Sequence, residues 1–127
     1  MKKNSVVKKV PLDKLFLMTA QGFELEDVDG SLFVWCPLVR ELIFTSNRNI
    51  ANWLRKEWRK NKQLGMNYDC ILINQDGKLN LFYEDESTVI ASYKLNEEER
   101  NELEQVSFIY IRSFNRKEVQ ICLPEER

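Results

Sequence analysis

The first half of the chain alternates between segments whose apolar residues have strand-like spacing and segments with helical spacing. Leu12, Leu15, Phe16 and Thr19 recur at the spacing of one helix face. An Asp-Gly pair after residue 28 is a hairpin-type turn, and the lysines of residues 5–10 are typical of a short edge strand. The predicted elements are strands 5–10, 23–28 and 31–36, a helix from Pro11 to Gly22 and a short helix from Pro37 to Phe44.

The segment 47–63 has the longest helical pattern of the chain. Ser46 or Asn47 is a good N-cap, and Gly65 can lie just past the C-terminal end. At about 100° per residue, its apolar side chains fill one arc of the helix and its basic side chains the opposite arc. We expect both tryptophans of the segment to pack into a sheet, because they share the apolar arc with Ile50.

After residue 65 the apolar period changes to two, which indicates strands. Three strands, 69–74, 78–83 and 88–94, are predicted to form a meander. The Asp76-Gly77 pair is the strongest turn signal of the chain. A two-residue turn there places Leu72 opposite Leu81 and Ile71 opposite Phe82.

The remaining residues predict one more helix and one more hairpin. Asn96 and Glu99 have the spacing of a capping box for a helix that ends near Gln105. Strands 108–112 and 118–123 flank a turn around Asn115. Because helices and meanders do not alternate regularly, we expect an α+β fold: a single domain, 1–127, with an antiparallel meander sheet packed by one long amphipathic basic helix and shorter helices.

Composition excludes several kinds of chemistry. The chain has no histidine, which excludes histidine-based acid–base catalysis and histidine-ligated metals. Cys36, Cys70 and Cys122 each lie in an apolar stretch, without the paired spacing of a zinc site, so we expect buried, reduced thiols. Reduced thiols and the lack of a signal-like or membrane-spanning apolar run indicate a cytoplasmic, intracellular protein.

No motif indicates a cofactor or a metal. Glycine-rich phosphate loops are absent. Asp69, Asp76 and Lys78 have the residue types of a metal-dependent nuclease, but Asp76 and Lys78 are better explained by the turn between them. A carboxylate-based, metal-dependent hydrolase remains one alternative, while the missing catalytic signatures favour a protein that is not an enzyme.

The net charge of -1 conceals two regions of opposite sign. Residues 1–64 contain twelve Lys and Arg against seven Asp and Glu, a net charge of +5. Residues 65–127 contain seven against thirteen, a net charge of -6. The candidate binding residues are therefore a basic helix face and an acidic region: Arg48, Arg55, Lys56, Arg59, Lys60 and Lys62 for the first; Glu84, Asp85, Glu86, Glu97 and Glu98 for the second.

These surfaces predict a small intracellular binding protein without catalysis, which acts on a macromolecular partner through charge. A protein partner is favoured over nucleic acid, and no membrane is expected. Alanine occurs three times and lysine and asparagine eleven times each, a usage common in AT-rich microbial or phage genomes. A phage or mobile-element regulator or inhibitor fits this usage. The alternative is a nucleic-acid-binding module that uses the basic helix 47–63.

Overall fold

The computed structural model describes residues 6–84 and 88–127, and its core is one sheet of seven strands. The fold is α+β. The strands are β1 (Glu24–Val28), β2 (Ser31–Trp35), β3 (Cys70–Gln75), β4 (Lys78–Tyr83), β5 (Ala91–Lys94), β6 (Phe108–Phe114) and β7 (Glu118–Cys122). The helices are α1 (Leu12–Ala20), α2 (Pro37–Val39), α3 (Arg48–Lys60) and α4 (Glu97–Glu102). A π-helical turn (Arg40–Thr45) joins α2 to α3, and short 3-10 turns lie at Val6–Lys9 and Pro124–Glu126.

The sheet is mixed, which corrects the expectation of an antiparallel meander sheet. Its strand order is β1-β2-β7-β6-β3-β4-β5. Five neighbouring pairs are antiparallel, but β2 and β7 run parallel, with Leu32 paired to Glu118 and Trp35 to Ile121. The parallel pair joins the N-terminal hairpin to the strands that follow residue 69.

Two Asp-Gly turns set the register of their hairpins. Asp76 and Gly77 have φ values of 55° and 74°, the left-handed conformation of a two-residue hairpin turn. The predicted pairing is confirmed: Leu72 lies opposite Leu81, and Ile71 lies opposite Phe82. This register directs Leu72 and Leu81 into the core, because strand side chains alternate between the two faces of a sheet.

Helix α3 covers one face of the sheet. Its buried side chains include Ile50, Leu54 and Trp58. The ring of Trp58 meets that of Phe33 edge-on at a centroid distance of 5.2 Å, and its indole N–H donates a hydrogen bond to Ser31 Oγ at 3.0 Å. The buried indole therefore packs with an aromatic partner and has its polar atom satisfied.

Several predicted boundaries are wrong. Residues 6–9 form a 3-10 turn rather than the edge strand predicted for 5–10, and residue 5 lies outside the described residues. Strand β5 is shorter than the predicted 88–94. Helix α1 forms where predicted and contacts the edge strand β1, but Leu12 and Phe16 are each 69% exposed.

The predicted capping box at the start of α4 is confirmed. Asn96 Oδ1 accepts a hydrogen bond from the Glu99 backbone N–H, and the Glu99 carboxylate accepts one from the Asn96 N–H, both at 2.8 Å. The Tyr93 hydroxyl donates to the same buried carboxylate at 2.8 Å. The carboxylate thus fastens α4 to β5 as well as capping it.

This contact predicts a loss of stability at alkaline pH. Burial, together with the hydrogen bond and the charge of Glu99, raises the pKa of Tyr93 to about 12. The folded chain holds the phenol proton more tightly than the unfolded chain, whose tyrosine pKa is near 10.0. The free energy of unfolding therefore falls as pH rises from about 10 to about 12.

Urea unfolding of Tyr93→Phe checks this prediction, since the variant should show a flatter decline over that pH range. Tyr68→Phe is the matched control, because the Tyr68 side chain is largely exposed and its loss should leave the wild-type decline unchanged. Equal slopes for wild type and Tyr93→Phe would contradict the prediction.

Candidate binding surface

Helix α3 presents a polar, basic face to solvent. Arg48, Lys56, Arg59, Lys60 and Lys62 are exposed, as the arc of basic residues predicts. With the residues that the structure describes, Arg48, Lys56 and Arg59 form no ion pair, whereas Lys60 lies 3.8 Å from Glu57 and Lys62 pairs with Asp29. We call Arg48, Lys56 and Arg59 the unpaired basic face.

Arg55 does not belong to that solvent-exposed face, which corrects the sequence-based assignment. Its Nε donates a hydrogen bond to Glu26 Oε1 at 2.8 Å, and only 16% of its side chain is exposed. Its guanidinium also lies 5.7 Å from the ring centroid of Trp35 and 5.4 Å from that of Phe44. Glu26 comes from β1 and also accepts a hydrogen bond from Trp35. Arg55 therefore fastens α3 to the N-terminal hairpin.

The C-terminal end of α3 is held by Arg116, a residue that the sequence did not single out. Its guanidinium donates hydrogen bonds to the carbonyl oxygens of Trp58 (3.0 Å), Asn61 (3.2 Å) and Leu64 (2.7 Å). It lies 4.3 Å from the Trp58 ring centroid and 3.6 Å from Asp29. Burial lowers the pKa of Arg116, and the Asp29 carboxylate opposes that shift. The cation therefore binds one carbonyl group in the last turn of α3 and two in the residues that follow the helix.

The predicted acidic region is divided by the fold. Glu97 and Glu98 are exposed in the first turn of α4, where acidic residues stabilise a helix. Glu84 lies elsewhere, at the end of β4, and forms an ion pair with Arg127 at 3.4 Å. Asp85 and Glu86 lie outside the described residues. Glu97 and Glu98 are thus the members of this region that share a helix end.

The acidic end of α4 meets the basic helix at one place. A depression of about 290 Å³ is lined by Arg48 and Asn49 of α3 and by Glu98 in the first turn of α4. Asn47, predicted as an N-cap, makes no side-chain cap. Its amide instead donates to the carbonyl oxygen of Leu42 at 2.6 Å and to the Glu102 carboxylate at 3.4 Å. Opposite charges are therefore adjacent at the N-terminal end of α3.

The residues considered for metal chemistry are not brought together. Asp69 and Asp76 flank opposite ends of β3, and Asp69 accepts a hydrogen bond from the Ser113 backbone N–H at 2.9 Å. Within residues 6–84 and 88–127, no three Cys, Asp or Glu side chains are grouped as metal ligands would be. In the same residues, no helix combines the length and the apolar character needed to cross a membrane.

Comparison with known proteins adds no relative. No family model matches the chain, and neither the curated proteins nor the solved structures gave a match.

Proposed function

We propose that this chain is a small intracellular, cytoplasmic binding protein without catalysis, a single domain that docks on the acidic surface of another protein. The unpaired basic face carries this proposal. Arg48, Lys56 and Arg59 span about 16 Å along α3. The other basic side chains of the segment, Arg55, Lys60 and Lys62, each have an acidic neighbour. Three exposed cations that form no ion pair with the described residues leave a positive field that an acidic surface can complement.

The neighbouring acidic side chains favour a protein over nucleic acid. Glu98 lines the same depression as Arg48, so a phosphate at that end of α3 would meet repulsion as well as attraction. A protein surface can present acidic groups to the helix and a basic group to Glu98. A phage or mobile-element regulator or inhibitor is one such role, since a protein of this kind works by covering its target.

Nucleic acid remains the second candidate because the exposed positions of α3 carry cations and amides. Asn49 and Asn52 lie exposed among the unpaired basic residues. Lysine and arginine contacts to phosphates give binding that ignores sequence and weakens steeply with salt. This salt dependence separates the two candidates.

Charge reversal tests the proposal. The variant Arg48→Glu, Lys56→Glu and Arg59→Glu should lose about 100-fold in affinity for the partner, because attraction becomes repulsion across the interface. The matched control is Lys78→Glu, Lys94→Glu and Lys117→Glu, which changes the net charge equally at exposed positions away from α3. Both variants should keep the wild-type fold by circular dichroism.

Two measurements give the outcome. Affinity isolation from the source cells, followed by titration of the purified partner, should find a protein that binds wild type and control but not the α3 variant. Titration of a DNA duplex and a single-stranded RNA at about 50 and 200 mM salt tests the second candidate. Salt-sensitive binding to either nucleic acid, lost in the α3 variant, would replace the protein proposal. A partner that binds the α3 variant as tightly as wild type would refute both.

A further inference from the structure

Two buried cysteines meet at the end of the parallel strand pair. Cys36 follows β2 and Cys122 ends β7, and their residues are 6% and 2% exposed. The backbone N–H of Cys36 donates to the carbonyl oxygen of Ile121 at 3.0 Å, which continues the ladder one step past the pair of Trp35 and Ile121. This register places Cys36 beside Cys122, and each thiol affects the pKa of the other.

The register gives this pair the Cα spacing of neighbouring strands, which lies within the range that a disulfide joins. Neighbouring strands lie about 4.8 Å apart, and disulfides join residues whose Cα atoms are about 4.4–6.8 Å apart. Cys36 and Cys122 are free thiols in this structure. Cys70, the third free thiol, is also buried but faces the Gly65 backbone and Asp69 rather than another cysteine. The fold therefore separates the three cysteines into one pair and one single residue.

The two sulfurs of the pair are chemically unequal. The hydrogen bond from Cys36 lowers the pKa of Cys122, and the nearby Arg112 and Arg127 act in the same direction against burial and Glu126. The same hydrogen bond raises the pKa of Cys36, and burial adds to that. Since the thiolate is the nucleophile, the lower pKa favours Cys122 over Cys36 as the attacking sulfur.

We propose that Cys36 and Cys122 form a reversible oxidative modification site, which a hydroperoxide converts into a disulfide. Cys122 attacks the peroxide oxygen, the O–O bond breaks, and Cys122 becomes a sulfenic acid while an alcohol or water leaves. The Cys36 sulfur then attacks the Cys122 sulfur, the S–S bond forms and water leaves. Two thiols are oxidised by two electrons and one peroxide is reduced, so atoms and electrons balance.

A C-terminal turn covers this site. The Glu126 carboxylate in the turn Pro124–Glu126 accepts hydrogen bonds from the backbone N–H groups of Leu38, Val39 and Leu123. The turn therefore joins the end of β7 to the start of α2. A disulfide between Cys36 and Cys122 would fix the same two segments covalently and restrict the helical segment that leads to α3.

Thiol counting on the full chain tests the proposal. The reduced protein is treated with hydrogen peroxide, quenched, unfolded and labelled with a maleimide, and its intact mass is measured. Oxidised wild type should bind one maleimide instead of three, and the mass of its unlabelled chain should fall by about 2 Da, the mass of two hydrogens. Dithiothreitol should restore the two thiols. Peptide mapping of the oxidised wild type should join the peptides that carry Cys36 and Cys122.

Three variants give the matched comparison. Cys70→Ser should form the disulfide at the wild-type rate, whereas Cys36→Ser and Cys122→Ser should not form it. Oxidation should raise the thermal midpoint of wild type and Cys70→Ser, because a crosslink constrains the unfolded chain. Three reactive thiols after peroxide treatment, a joined peptide that contains Cys70, or added oxygen without a crosslink would each overturn the proposal. The wild-type mass and mapping results decide it even if a serine variant fails to fold.

Discussion

Replacing Arg116 by alanine is expected to lower the free energy of unfolding by about 3 kcal/mol. The substitution removes donors from the carbonyl oxygens of Trp58, Asn61 and Leu64. Only 11% of this side chain is exposed, so water replaces the lost contacts poorly. The Trp58 ring also loses the cation packed on its face. Chemical denaturation of both proteins at one pH measures the difference.

Arg112→Ala is the matched control for this prediction. Arg112 lies on β6, the strand that leads into the turn with Arg116, and it is exposed. The described residues give it no ion pair. Its loss should change the free energy of unfolding by less than about 0.5 kcal/mol. Arg116→Lys should be little more stable than Arg116→Ala. A lysine ammonium group lacks the planar fork with which the guanidinium reaches three carbonyl oxygens. Similar losses for Arg112→Ala and Arg116→Ala would refute the assigned role.

Replacing Gly65 by alanine is expected to cost a similar amount, about 3 kcal/mol, for a steric reason. Gly65 has φ +77°, and a Cβ there would lie 2.3 Å from Trp58 Cη2 and 2.6 Å from Ser113 Oγ. Both neighbours are held: Trp58 is in the core, and Ser113 Oγ donates to the Gly65 carbonyl oxygen at 2.8 Å. The methyl group therefore forces the end of α3 away from β6.

Gly30→Ala separates the steric effect from the backbone effect. Gly30 has φ +84°, close to that of Gly65, but a Cβ there meets no atom within 4 Å. This control should lose only about 1 kcal/mol, the cost of a left-handed conformation for a residue with a side chain. Thermal or urea unfolding of the two alanine variants gives the comparison. A Gly30→Ala loss equal to that of Gly65→Ala would show that the contact with Trp58 has no effect.

Elements whose determinants lie within a few residues could be predicted from the sequence. The Asp76-Gly77 turn specifies its own conformation and, with it, the pairing of β3 and β4. Asn96 and Glu99 satisfy each other's backbone groups one helical turn apart, so the pattern of four residues identified the start of α4.

The parallel pairing of β2 with β7 could not be predicted in this way. Leu32 pairs with Glu118, which lies 86 positions later in the chain, and no local pattern encodes a contact of that length. An apolar strand pairs equally well with several partners, because backbone hydrogen bonds do not distinguish sequences. The sequence therefore predicted strands in both regions but not the mixed sheet.

The candidate binding surface was likewise predictable only where its determinants are local in the chain. Helical periodicity predicted that Lys56 and Arg59 lie on an exposed face, and both side chains are exposed in the structure. It misassigned Arg55, which lies at the edge of the apolar arc where the hairpin supplies Glu26. It gave no signal for Arg116, because a cap contributed by another strand depends on tertiary packing. The left-handed conformation of Asn115 and Arg116, with φ 50° and 63°, is the local feature that directs this side chain.

The parallel contact between β2 and β7 also has a kinetic consequence. Strand β7 lies between β2 and β6, so the N-terminal hairpin cannot join the four strands β3, β4, β5 and β6 until β7 has paired with both sides. During synthesis, β2 keeps an unpaired edge until residues 118–122 have left the ribosome. Folds with such distant contacts fold slowly, and an open strand edge can pair with another chain. Newly made copies should therefore need protection from aggregation during this interval.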